Sequence, residues 1–68
     1  MRIYIVIKNQ LIMDVYRFAS HIERDIGFSA RSLSRHLENP GDIYVKLKGD
    51  DEYKILLLNV KIVRASDV

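Results

Sequence analysis

The chain reads as an α+β domain, and three observations carry that reading. A strand pattern opens the sequence, a pair of amphipathic helical patterns separated by Gly27 occupies the middle, and two strand patterns on either side of an acidic turn follow Pro40. The expected architecture is a three-stranded antiparallel sheet, made by the N-terminal strand and a C-terminal hairpin, with both helices on one face.

From Arg2 to Lys8 the apolar residues are β-branched or aromatic, with Ile3, Ile5 and Ile7 on one face of the pleat and Tyr4 and Val6 on the other. That is a strand with apolar character on both sides. Asn9 and Gln10 punctuate it but lack the Gly that marks a tight hairpin.

Leu11 to Ile26 supports two readings. Val15, Phe18, Ala19, Ile22 and Ile26 recur at helical spacing behind a usable N-cap at Asp14, which predicts a helix over Val15 to Ile26. Ser20 followed by Glu23 is a capping-box pattern that would instead start a shorter helix at His21 and leave Leu11 to Phe18 extended. The longer helix is the expectation. Gly27 ends either version, since a helix C-terminus commonly needs a positive φ.

Ser29 caps the second helix, whose buried stripe is Ala30, Leu33 and Leu37, and Asn39-Pro40-Gly41 stops it. Asp42 to Lys48 and Tyr53 to about Arg64 then pair as a hairpin across Gly49 to Glu52, with Ile43, Val45 and Leu47 expected on the core side and Tyr44, Lys46 and Lys48 on the polar side. Ile55 to Leu58 is apolar on both faces, so something should cover both. A bend near Asn59 is expected in so long a strand, and Ala65 to Val68 reads as a frayed tail.

Size sharpens this. Sixty-eight residues make one domain with a small core, and without Cys there is no disulfide or thiolate metal site to reinforce it. Self-association is the expected remedy, and Ile55, Leu56, Leu57 and Leu58 form the expected dimer interface. No apolar run is long enough for a membrane span or signal segment, which predicts a cytoplasmic protein.

Catalytic chemistry is poorly represented. His21 and His36 lie 15 residues apart with no metal-binding spacing, Ser29, Ser32 and Ser34 have no base at a recognisable interval, and Asp50, Asp51 and Glu52 are adjacent acids of the sort found at a solvated turn. No catalytic residue, metal or cofactor is expected. A net charge of +2 says little as a total, but from Gly27 to Leu37 the chain holds Arg31, Arg35 and His36 and no acid.

Counting from Gly27, apolar residues stand five and one before it (Ile22, Ile26) and one and six after it (Phe28, Leu33). This spacing resembles the helix-turn-helix, and the run Ile26-Gly27-Phe28-Ser29-Ala30-Arg31-Ser32-Leu33-Ser34-Arg35 is similar to the small helix-turn-helix modules of phage and intron-encoded nucleases. Glu23 stands where that pattern has a small Ala, and His36 where it has an aliphatic residue, with Leu37 one step later. The element order resembles a shortened winged helix.

The resemblance implies a DNA-binding regulator of the phage or mobile-element type, acting on double-stranded DNA as a homodimer. The second helix would enter the major groove, with Ser29, Arg31, Ser32, Arg35 and His36 toward the nucleic acid and Lys46 and Lys48 touching the backbone from the hairpin. A protein-interaction module, docking on a host protein through its sheet face and through Tyr4, Tyr44 and Tyr53, is the alternative.

Overall fold

A computed structural model describes residues 1–61. Its elements run β1 (Arg2–Lys8), β2 (Leu11–Tyr16), α1 (Ala19–Ile26), α2 (Ala30–His36), β3 (Ile43–Lys48) and β4 (Asp51–Asn59). The α+β class holds, but the sheet has four antiparallel strands in the order β2-β1-β4-β3 rather than three. The three-stranded sheet expected is overturned by β2, which pairs with β1 on the side opposite the β3–β4 hairpin.

The missed strand is β2. Asn9 and Gln10 both take positive φ, 50° and 70°, and form the two-residue turn between the paired residues Lys8 and Leu11. That conformation suits Gly best and Asn tolerably. Here β4 holds it in place: the Asn9 backbone N–H donates to the Glu52 carbonyl at 2.8 Å, its Nδ2 donates to Asp51 Oδ1 at 2.9 Å, and its Oδ1 accepts the Glu52 N–H at 2.9 Å. A side chain bonded across the sheet thus takes over what local glycine chemistry would otherwise supply.

A register shift then disguises the strand. Val6 pairs with Asp14 and Ile7 with Ile12, which leaves Met13 as an extra residue in a bulge. Strict alternation is lost at that point. Val15, placed on a helical stripe by its spacing to Ala19, stands instead opposite Ile5 in the sheet, and the helix begins only at Ala19. Phe18 precedes it without a side-chain cap; its carbonyl accepts the His21 N–H at 3.1 Å.

The core lies between the helices and one face of the sheet. Val6, Tyr16, Tyr53, Ile55 and Leu57 point from the strands toward Ile22, Ile26, Phe28, Leu33 and Leu37. Among the described residues no element covers the opposite face. It carries Ile3, Ile5, Ile7, Leu56 and Leu58, half-buried by their strand neighbours, and Ile43, Val45 and Leu47, which are 55%, 53% and 69% exposed.

This inverts the expected faces of β3. Tyr44 pairs with Ile55 and Lys46 with Tyr53, so the residues expected to face solvent lie on the helix side, and the aliphatic ones expected in the core lie on the open side. β3 is an edge strand, where a lysine stem can run along the rim of the helical layer while its charge reaches water. The tyrosines expected as exposed anchors are on the helix side too: Tyr53 is buried, and Tyr4 and Tyr44 pack against the core. β4 ends at Asn59, where a bend was expected, and Val60 and Lys61 are in no strand; the rest of the expected strand to Arg64 and the tail Ala65 to Val68 lie outside the described residues.

Candidate nucleic-acid interface

The helix pair is built on its four spaced apolar residues. Ile22, Ile26, Phe28 and Leu33 are all buried, and Gly27 between them has φ 96° with its N–H donating to the Glu23 carbonyl at 2.9 Å. Such a positive φ strains any residue with a Cβ. Both departures from the helix-turn-helix pattern have a structural account. Glu23 Oε2 accepts the Ala30 N–H at 3.2 Å, so the carboxylate ties the two helices together where a small Ala would let them touch. Leu37, 2% exposed, fills the core place in the last turn, and His36 turns outward with its ring 4.8 Å from that of Tyr44.

Rotation at 100° per residue from the Leu33–Leu37 side carries Arg31 and Arg35 to the opposite side of α2, one turn apart. Both are exposed, and neither is in an ion pair among the described residues. The start of α2 is a different matter. Three of its amides are engaged: Ala30 N–H by Glu23, Ser32 N–H by Ser29 Oγ at 3.4 Å, and Leu33 N–H by the Ser29 carbonyl at 3.0 Å. Ser29 acts as the N-cap, and the half-buried Ser32 as a partner of that cap.

Lys46 and Lys48 come from β3 to the same end of α2. Their Nζ atoms lie 5.5 Å and 5.9 Å from the centre of the Phe28 ring, and that ring stands edge-on to Tyr53 at 5.1 Å. Lys48 also donates to the Ile26 carbonyl and so closes the C-terminus of α1, next to the spot that a Cβ on Gly27 would contact at 3.4 Å. Lys48 is thus structurally committed, and Lys46 has the freer ammonium. At the other end His36 meets Tyr44, so α2 runs antiparallel to β3 along one rim that carries His36 and Lys46, while Arg31 and Arg35 stand exposed on the side of α2 away from its buried stripe.

Asp51 of the β3–β4 turn stands opposite Lys48 in the register, on the same side of the sheet. Asp51 lies 3.7 Å from Lys8 and accepts from Asn9, which turns it toward the β1–β2 turn. One polar cluster escaped the sequence reading. Tyr16 Oη donates to Asp25 Oδ2 at 3.0 Å and Arg24 Nε donates to Asp25 Oδ1 at 2.9 Å, linking α1 to the end of β2. The Arg24 contact first, then the tyrosine hydroxyl, hold the Asp25 carboxyl below the ordinary carboxylate range, while burial is the main reason the Tyr16 hydroxyl is pushed up. Only β2 reveals this cluster, because the helix expected over Val15 to Ile26 would separate Tyr16 from Asp25 by two and a half turns.

The proposed dimer residues divide by face. Ile55 and Leu57 are fully buried under the chain's own helices, so they serve its core and are corrected as interface residues; Leu56 and Leu58 face the open side. Among the described residues no cluster of His, Asp and Glu could hold a metal ion, and no helix is long and apolar enough to cross a membrane. Comparison with protein-family models, curated proteins and solved structures gives no match.

Proposed function

We propose that this protein binds double-stranded DNA through α2, as a small cytoplasmic regulator of the phage or mobile-element kind that acts as a dimer. The observation that carries the reading is the outward pair Arg31 and Arg35, exposed and in no ion pair among the described residues, on a helix seated by buried Ile22, Ile26, Phe28 and Leu33. Arginine makes bidentate contacts to guanine or phosphate, and each phosphate neutralised releases counterions. His36 and Lys46, on the rim between α2 and β3, would add contacts to the backbone.

Fluorescence anisotropy with a labelled duplex at about 50 mM and 200 mM salt tests this, since log K falls with log salt by about 0.9 per phosphate contacted. Binding should weaken steeply with salt, and Arg31→Ala with Arg35→Ala should weaken it at least tenfold and flatten the salt dependence. Salt-insensitive binding, or an unchanged affinity in the double variant, refutes the reading. The second reading, a docking module, is favoured by the exposed Ile43, Val45 and Leu47. Capture from host extract separates the two, because a nucleic-acid partner is lost on nuclease treatment and a protein partner is not.

A further inference from the structure

The uncovered face of the sheet is as aliphatic as the covered one, which a solvent face is not. One row crosses all four strands: Val15 opposite Ile5, Ile5 opposite Leu56, and Leu56 opposite Ile43, so that the four side chains stand side by side on the open side. Val45 and Leu47 continue it along β3. An antiparallel sheet with one wet side normally alternates apolar inward with polar outward, and here that alternation is absent.

We infer that a second copy of this chain packs face to face on this surface, giving a sandwich of two sheets with the helices outside. Three observations select that occupant. The first is area: with Ile43, Val45 and Leu47 more than half exposed and the central row partly so, the face offers on the order of 800 Å² per copy, one side of a standard stable interface.

The second is composition. The chain's four tyrosines all lie on the helix side, and the open face is Ile, Val and Leu. Surfaces for transient partners concentrate Tyr, Trp and Arg, whereas an obligate homodimer interface resembles a domain core cut in half. The third is charge. Glu52 and Lys54, two residues apart on β4, are the charged residues of that face among the described strands, and they balance each other. A second copy therefore meets no net like charge. Two such faces about 10 Å apart would give the sheet the second layer that it lacks.

The dimer does not depend on DNA binding, and the test keeps the two apart. Sedimentation equilibrium on the full chain should give twice the 8.0 kDa monomer mass. Ile43→Lys with Val45→Glu should raise the dissociation constant at least about a hundredfold, because each charge loses its water on association, with the far-ultraviolet circular dichroism retained. Arg31→Ala with Arg35→Ala should leave the dimer intact whatever it does to DNA. Should the sheet variant fail to fold, the wild-type melting temperature still decides, since it must rise with protein concentration for a dimer. A wild-type monomer with a concentration-independent melting temperature overturns the inference. So does a sheet variant that folds and remains dimeric, or a monomer that binds neutral phosphatidylcholine vesicles through this face.

Discussion

The two faces of the one sheet both carry Ile, Val or Leu side chains, and these have opposite fates. On the helix side Val6, Ile55 and Leu57 are completely buried; on the other side Ile43, Val45 and Leu47 keep more than half of their surface. Strand β4 shows the contrast within a single element, with Tyr53, Ile55 and Leu57 buried and the residues between them only half so. Side-chain chemistry therefore does not decide which face is the core of the monomer. The helix pair does, and it chooses the face that also carries the tyrosines and the two β3 lysines.

Truncating equivalent aliphatic residues on the two sides gives the largest expected effect. Ile55→Ala should destabilise the protein by about 2–5 kcal/mol at any concentration, because it opens a cavity in a packed core. Ile43→Ala should cost under about 1 kcal/mol in a dilute monomer and more as concentration rises, if the open face is shared between copies. Urea unfolding at two protein concentrations reads both. An Ile43→Ala penalty as large as that of Ile55→Ala in dilute solution would break the comparison, since the open face would then already be covered within one chain.

Much of this was legible in the residues, and the failures are local. β1 and the two faces of its pleat follow from alternation, and the four buried positions around Gly27 follow from spacing. β2 was hidden twice over, by a turn whose glycine role passes to Asn9 through bonds to Asp51 and Glu52, and by the bulge at Met13. The turn depends on strand partners some forty residues away, which no local window contains, whereas the bulge breaks the alternation against the neighbouring β1. The faces of β3 were reversed for a related reason: alternation marks two sides of a strand, but not which one meets the helices. In the candidate interface, Arg31 and Arg35 were placed by helical rotation and Ser29 by its capping position, whereas the commitment of Lys48 required the Ile26 carbonyl to be in position.

Gly27 offers a smaller test, confined to the helix side. A Cβ at φ 96° is strained by the backbone conformation itself, and it would only touch the Lys48 ammonium that closes α1. Gly27→Ala should therefore lose about 1–2 kcal/mol in urea unfolding. The dimer, being on the other face, should keep its dissociation constant. If the two change together, the faces are not independent and the helix pair shapes the sheet surface behind it.

The smallest effect lies in acid. Asp25 has its folded pKa lowered by Arg24 and then by the Tyr16 hydroxyl, so the carboxylate form is the one that the native state favours. Its contribution is present above the unfolded carboxylate pKa and is lost as pH falls through the lower folded value. Tyr16 has the opposite sign: its raised pKa leaves the neutral hydroxyl in place through neutral pH, and that contribution is lost only as pH rises through the folded value, above the ordinary tyrosine range. Below neutrality the cluster thus responds through Asp25 alone. Melting temperature followed from pH 6 down to pH 2 should fall less steeply at the acid end in Asp25→Asn than in the wild type, the two curves converging once the carboxyl is protonated. The open face has no such polar tie among the described residues, so sheet-face association should not share this acid dependence; a dissociation constant that tracked Asp25 protonation would mean that the α1–β2 contact is transmitted through the sheet.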